Sequence, residues 1–401
     1  MKPRKIVIAY SGGLDTSAAV HFLKNYFKCE IHAYCADLGQ NEDWDKVEKR
    51  AFKAGADSYK KENLQDHFIN DFVFEALKGN GAYENNYLLG TPLARPAIVE
   101  GMIKYAHEIG ADSLSHGCTT KGNDQIRFEL GAILLDSNLK QISPWRIWPF
   151  KSREDLQEYC NQNNIEVLQN KDDLLSHDEN LVHYTTEGEY LEYLENSLNW
   201  KNAKWITCPE KAPNEIEKIK ITFEKGIPKQ IDRKNYSSVE LIKTLNQIGG
   251  RNGVGMQDII ENRINGMKVR GIFENPALII LHKAHRHLEC TVLNNEVQRI
   301  KESLTNTYGD IIYRGLWFSE ERKVIQALIN KSQDFVSGEV EISMIKGYVY
   351  ASAVSSTYSL YSRNLVTLHK GDDYDQTDSK GFINTLSYRL LMESGRKKNM
   401  Q

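Results

Sequence analysis

Seven consecutive residues near the N-terminus, Ser11, Gly12, Gly13, Leu14, Asp15, Thr16 and Ser17, have types and spacing that suit chemistry. Adjacent glycines let a backbone turn sharply and approach an anion closely. Successive N–H groups in such a turn form an anion-binding nest, and a following helix N-terminus adds partial positive charge. Ser11, Thr16 and Ser17 contribute hydroxyl donors. No Lys precedes the final Ser, so this is not the GxxxxGK[ST] phosphate loop. Asp15 is the odd member. A carboxylate beside phosphates is repulsive unless Mg²⁺ bridges the two or the carboxylate shapes the loop by hydrogen bonding. Ser-Gly-Gly alone would equally suit a generic strand-to-helix turn. The full heptad after the apolar run 6–9 favours a phosphate site.

A second group, Asn123, Asp124 and Arg127, lies within five residues at a loop-to-helix junction. An amide, a carboxylate and a planar guanidinium suit an amino-acid substrate, which carries both charges. A capping Asn or Asp followed by a surface Arg is the plainer alternative. His282, His285 and His287, near Glu289, read as a polar helix face rather than a metal site. Cys118 reads as a small packed residue, with only His116 nearby in sequence. Arg396, Lys397 and Lys398 read as a solvated basic tail.

These residues need elements to position them. Strands are expected at 6–9 and 31–36, with two more strand ends near Leu114 and Ile142. Helical patterns run over 16–25, 42–54, 64–77, 95–109 and 125–135. Strand–helix alternation predicts a mostly parallel, doubly wound sheet, and ligands in such sheets bind beyond the carboxyl ends of the strands. The loops after Ala9, after Ala36 and around Gly117 would open there. Ser152 is the expected N-cap of a helix with Asp155 three residues on. After about residue 170 period-two alternation appears around Lys225-Gly226 and again around Lys346-Gly347, as in hairpins. Helices are expected at 238–248 and 320–331, giving an α+β region. A terminal helix over 382–392 carries Ile383, Leu386, Leu390 and Leu391 at helical spacing, and such a face needs a surface to cover. The expected division is 1–168, 169–364 and 365–401.

The chain has 401 residues, enough for two domains. A formal charge of −3 gives no general attraction to nucleic acid or membrane. No apolar run approaches a membrane span. The basic start is followed by too short an apolar run for a signal peptide and reads as a first strand. Cys29, Cys35, Cys118, Cys160, Cys208 and Cys290 form no CxxC pair, so reduced thiols and a cytoplasmic location are expected.

The loop SGGLDTS resembles that of the N-type ATP pyrophosphatases, which cleave ATP between the α- and β-phosphates and form an adenylate. Four further stretches narrow this: ADLGQ at 36–40, YLLGTPLARP at 87–96, SHGCTTKGNDQIRFE at 115–129 and GVGMQDIIENRINGMKVRGIFENP at 253–276. Together they resemble the argininosuccinate synthases over nearly the whole chain. The resemblance implies an α/β fold, with an N-terminal doubly wound parallel-sheet nucleotide-binding domain. A C-terminal α+β synthetase domain and a terminal oligomerisation helix would follow, in a homotetramer.

It implies ATP contacts at Ala9, Tyr10 and Ser11, through Gly12, Gly13, Leu14, Asp15, Thr16 and Ser17, and at Ala36 and Gly117. It implies aspartate contacts at Thr119, Asn123 and Asp124. Citrulline contacts would fall at Tyr87, Asn123, Arg127, Ser176 and Glu261, and at three changed positions: Pro92, Thr185 and Phe273. There the family usually has a small residue, a Ser and a Tyr; Thr120 also replaces a usual Gly. Asp15, Asp124 and Arg127 would carry the catalysis. Mg²⁺ would arrive with ATP and find no dedicated protein cage, with Asp15 as its candidate ligand. Tyr→Phe removes one hydrogen bond, worth about 0.5–1.5 kcal/mol. The three changes raise an alternative, an aspartate ligase that adenylates a different carbonyl or ureido acceptor. An ammonia-using synthetase would need a glutaminase Cys motif, which the chain lacks. A tRNA-thiolating enzyme would need sulfur-handling cysteines and a basic face. A non-catalytic nucleotide binder would not need the second residue group.

Overall fold

Ile6, Val7 and Ile8 are all fully buried on β1 (Lys5–Ala9). Ile6 and Ile8 face one apolar core and Val7 faces another. A strand covered on both sides has no polar face, which explains its unbroken apolar run. This computed structural model describes residues 2–167, 175–369 and 373–398. The chain divides into two compact units, Met1–Tyr358 and Ser359–Gln401. The expected boundary at 168 lies outside the described residues.

After β1 come α1 (Leu14–Phe27), β2 (Glu30–Asp37), α2 (Trp44–Lys53) and β3 (Ser58–Asn63). The sequence reading missed β3. Its SYKKEN composition is polar because it is an edge strand, where lysines discourage further pairing. The pattern expected over 64–77 is three pieces: α3 (Gln65–His67), a π-helical turn Phe68–Val73 and α4 (Phe74–Lys78). Next, α5 (Gly90–Ile109) begins five residues before the expected start at Arg95. Pro92 falls in its first turn, where backbone N–H groups have no intrahelical acceptor, so a proline there costs little. The half closes with β4 (Ser113–His116), α6 (Asp124–Leu135), β5 (Lys140–Ile142) and α7 (Arg153–Gln162). Ser152 and Asp155 form the expected capping box on α7. The sheet order is β3-β2-β1-β4-β5, with every neighbouring pair parallel. The order therefore reverses between β1 and β4, where a doubly wound sheet opens its ligand crevice.

Two antiparallel sheets follow. One is built from β6 (Ser176–Asn180), β7 (His183–Glu187), and, later in the chain, β11 (Met256–Asn262) and β12 (Lys268–Glu274), in the order β11-β12-β7-β6. Between these come β8 (Glu217–Glu224), β9 (Ile227–Ile231), β10 (Lys234–Asn235) and α8 (Ser238–Arg251). After β12 come α9 (Pro276–Val292), α10 (Asn295–Tyr313), α11 (Glu320–Ser332), β13 (Gly338–Ile345) and β14 (Tyr348–Ser355). The second sheet runs β10-β9-β8-β13-β14. Both expected hairpins are present, turning at Lys225-Gly226 and Lys346-Gly347 with positive φ at all four residues. In the second unit, α12 (Arg363–Val366) precedes α13 (Asp378–Lys398), whose Phe382, Ile383, Leu386 and Leu391 are exposed.

The histidine-rich stretch on α9 is a solvated face only in part: His287 is exposed and His282 half-buried. His285 is fully buried, and its Nε2 meets Gln333 Oε1 at 2.8 Å. Glu289, one turn on, pairs with Lys301 at 2.7 Å, and both side chains are buried. Gln333 Nε2 also donates to Glu289. His285 and Glu289 thus face inward, because a second helix and a loop supply their partners, while Lys283, Arg286 and His287 stay exposed. No group of metal-binding side chains is found among the described residues. Removing one member of a buried pair strands the other charge, at a cost of about 3–5 kcal/mol. Lys301→Met is therefore expected to lower the urea midpoint of unfolding sharply. An unchanged midpoint would mean that water reaches the pair.

Candidate active site

At the switch point the chain leaves β1 through Tyr10 and Ser11 into the glycine turn. Gly12 adopts φ +73°, a conformation natural to glycine. The loop hydroxyls are partly spent on the loop itself. Ser11 Oγ meets Thr16 Oγ1 at 3.2 Å, and Thr16 Oγ1 donates to the Gly13 carbonyl. Ser17 is fully buried and bonds the Tyr10 hydroxyl at 3.0 Å. Gly117, just after β4, lies where a Cβ would stand 2.7 Å from Thr16 Cγ2, so only glycine lets β4 end against the loop. Asp15 Oδ1 is enclosed without a hydrogen-bond partner, and burial pushes its carboxyl pKa up.

Two recesses open here. The larger, about 1680 Å³, is lined by Ala9, Tyr10, Ser11, Asp15, Thr16, Ala36 and Gly117 among others. Gly12, Gly13, Leu14 and Ser17 continue the loop but do not themselves line that recess. The smaller, about 740 Å³, is lined by Tyr87, Thr119, Asn123, Asp124, Arg127, Ser176, Thr185, Glu261 and Phe273. Pro92 is buried and does not line it, while its helix neighbours Thr91 and Arg95 do. The recesses share Arg95, Cys118, Thr119, Asp124, Ser176, His177 and Asp178.

The antiparallel sheet β11-β12-β7-β6 forms the wall of the smaller recess. Alternation along a strand turns every second side chain to one face. Thus Ser176 and Asp178 on β6, and His183, Thr185 and Glu187 on β7, share a side. Ser176 pairs with Glu187 and Asp178 with Thr185 across the strands. Phe273 stands opposite Thr185 on β12, and its ring lies 4.7 Å from that of Tyr87. His183 bonds both Thr91 and Thr185 through Nε2. Burial holds its pKa down at about 4, so it is neutral.

The opposite wall is charged. Arg95 donates to Asp124 Oδ2 through Nε at 3.0 Å and Nη2 at 2.8 Å, and to Asp178 Oδ2 at 2.8 Å. Arg127 Nη1 donates to Asp124 Oδ1 at 2.8 Å. Asp124 stays ionised: although burial opposes its charge, the two guanidinium groups hold its pKa well below the usual range. Arg127 is itself fixed, donating to the Tyr313 carbonyl and lying over the Tyr313 ring. Asn123 bridges two partners, donating to the Tyr313 hydroxyl and accepting from Ile264 N–H. Glu261 Oε2 is buried without a partner, and burial raises its pKa. Glu187 bonds Arg263 at 2.9 Å, yet burial pushes its pKa up to about 7. Cys118 lines both recesses, and burial keeps its thiol protonated.

Sequence reading missed Arg95, Asp178, Glu187, Arg263 and Tyr313. Asp178 and Glu187 had a signal: each lies two residues beyond an expected contact, Ser176 and Thr185, on a strand. Arg95 lies within YLLGTPLARP at 87–96, where local pattern marks only a helix start. Tyr313 had none, since only tertiary packing brings the end of α10 here.

Comparison with known proteins bears on this arrangement. Residues 5–166 match the model of the arginosuccinate synthase N-terminal HUP domain, and residues 175–392 that of the C-terminal domain. The argininosuccinate synthase of Burkholderia pseudomallei is 56% identical over 399 residues, covering 100% of this chain and 99% of the relative. That of Clostridium novyi is 43% identical, covering 96% of each. That of Caldanaerobacter subterraneus is 44% identical, covering 99% of this chain and 98% of the relative. The chain belongs to the argininosuccinate synthase family and is an ATP-dependent ligase.

The raised pKa of Glu187 makes a stability prediction. The folded protein keeps this proton to higher pH than an unfolded Glu, which titrates near about 4.3. The stabilisation is therefore complete at acid pH and lost as pH rises through 7. The melting temperature of Glu187→Gln should gain on wild type between pH 5 and pH 8. A difference that does not move with pH would contradict the assignment.

Proposed function

We propose that the chain joins citrulline to aspartate, giving argininosuccinate, AMP and pyrophosphate. The observation that carries this is the shared edge of the two recesses. A glycine-rich anion loop lies on one side of Arg95, and a pocket of mixed charge lies on the other. In the larger recess the backbone N–H groups of the loop hold the ATP phosphates. Its greater volume suits a nucleotide. The smaller recess takes the zwitterionic substrate. The unpartnered Glu261 Oε2 is suited to accept from an ammonium group, and Arg127 to bind a carboxylate.

The ureido oxygen of citrulline attacks the α-phosphorus of ATP, and pyrophosphate leaves. The aspartate amine then attacks the activated carbon, and AMP leaves. No protein nucleophile is needed, and Cys118 is held as a neutral thiol. The work is positioning and charge stabilisation. Asp124, locked between Arg95 and Arg127, presents its remaining lone pair towards the aspartate amine beside Thr119. Arg95 stands where both substrates meet and offsets charge on the α-phosphate. Pro92, Thr185 and Phe273 are then variations in the citrulline wall. Mg²⁺ fits the site, because the unpartnered Asp15 Oδ1 is a hard oxygen ligand beside the phosphate nest. When bound it would neutralise phosphate charge.

The gap between the two matched segments supports a nucleotide-binding domain over 1–168 followed by a synthetase domain from 169, and the separate compact unit Ser359–Gln401 supports an arm over 365–401. The exposed apolar residues of α13 suit a homotetramer contact. No helix among the described residues is long and apolar enough to cross a membrane. Free thiols and the slightly acidic balance suit a cytoplasmic enzyme of small molecules, without nucleic acid or membrane partners.

Purified protein with ATP, Mg²⁺ and aspartate should release pyrophosphate only when citrulline is added, with argininosuccinate accumulating. Release that ignores citrulline would reject the assignment. Asp124→Ala should lower kcat/KM for aspartate at least a hundredfold; an unchanged value would remove its role.

A further inference from the structure

Arg50 on α2 is a buried cation that the reaction above does not use. It is 5% exposed. Among the described residues it donates no hydrogen bond and forms no ion pair, and its Nε is enclosed without an acceptor. Glu42 and Glu166 feel its charge only at longer range. Burying a guanidinium without a partner is costly, and folds keep such a group where an anion completes it. The location identifies the anion. A Cβ built on Gly12 would lie 3.0 Å from Arg50 Nη2 and 3.3 Å from Nε, so the guanidinium rests against the turn of the phosphate loop.

The same loop holds the unpartnered Asp15 Oδ1. The loop thus holds an unpartnered carboxylate oxygen and has an unpartnered cation from α2 packed against it. That combination is what a metal–polyphosphate requires: oxygen for the metal and a fork of N–H donors for the phosphate.

We propose that Arg50 is a phosphate-binding residue that grips the β- and γ-phosphates of ATP, and then the departing pyrophosphate, from the Gly12 side of the loop. The inference rests on the nucleotide reading of the larger recess. Arg50 would act on ATP affinity and on pyrophosphate retention, leaving the amino-acid recess untouched. A merely structural Arg50, propping Gly12, would lower stability without changing how tightly phosphates bind.

The test compares thermal unfolding of the full chain with and without inorganic pyrophosphate and Mg²⁺, in wild type, Arg50→Met and Arg50→Lys. Wild type should be stabilised by pyrophosphate. Arg50→Met should lose at least three quarters of that shift, and Arg50→Lys should keep more than half, because it retains the charge. In steady-state kinetics Arg50→Met should raise KM for ATP at least tenfold, with KM for citrulline and aspartate within twofold of wild type. Should Arg50→Met not fold, Arg50→Gln takes its place. Pyrophosphate affinity within twofold of wild type in the neutral variant would overturn the proposal while leaving the nucleotide reading intact. A wild-type protein that neither ATP nor pyrophosphate stabilises would overturn the nucleotide reading, and the proposal with it.

Discussion

The guanidinium of Arg95, shared between Asp124 and Asp178, is the interaction on which the site depends. Only 14% of its side chain is exposed, so its charge has left most of its water behind. Such burial is tolerated when geometry is good and hydrogen bonds satisfy the ion. Here three donor–acceptor contacts do so, and their partners come from different parts of the fold. Arg95 rises from α5, Asp124 opens α6, and Asp178 sits on β6. The pairing therefore ties the helices of the parallel sheet to the antiparallel sheet at the seam where the two recesses meet.

The charges around it are arranged rather than merely numerous. Asp124 is kept ionised by two arginines, Glu187 and Glu261 are pushed towards their neutral forms, and His183 is held uncharged. A pocket of this kind meets a zwitterion with fixed dipoles and charges, which need little reorganisation when the reaction proceeds. Arg127 shows how the fold holds them still. Gly315, at φ +81°, packs so closely on the Arg127 backbone that a Cβ there would stand 2.6 Å from its Cα. The loop after α10 can therefore close over Arg127 and present the Tyr313 carbonyl to its Nε.

Much of this was legible in the sequence because it rests on local rules. The phosphate loop lies between an apolar strand and a helix start, and both hairpins turned at their Lys-Gly pairs. The capping box at Ser152 and Asp155 formed as read. What escaped was set by tertiary context. The polar β3 is a strand because β2 pairs with it. On α9, His285 and Glu289 face inward because Gln333 and Lys301 meet them there, while His287 stays exposed. Arg95 looked like the first residue of a helix, since prolines on either side hid a start at Gly90. Its importance emerges only when β6, more than eighty residues later, returns Asp178 to its side.

Arg95 is the charge that joins the two recesses. The direct measurement is citrulline-dependent exchange of labelled pyrophosphate into ATP by Arg95→Met, alongside its affinity for ATP. Loss of exchange by a thousandfold or more, with ATP affinity within threefold of wild type and the fold intact, is the expected result. Exchange within tenfold of wild type would contradict it and leave Arg95 a structural clasp.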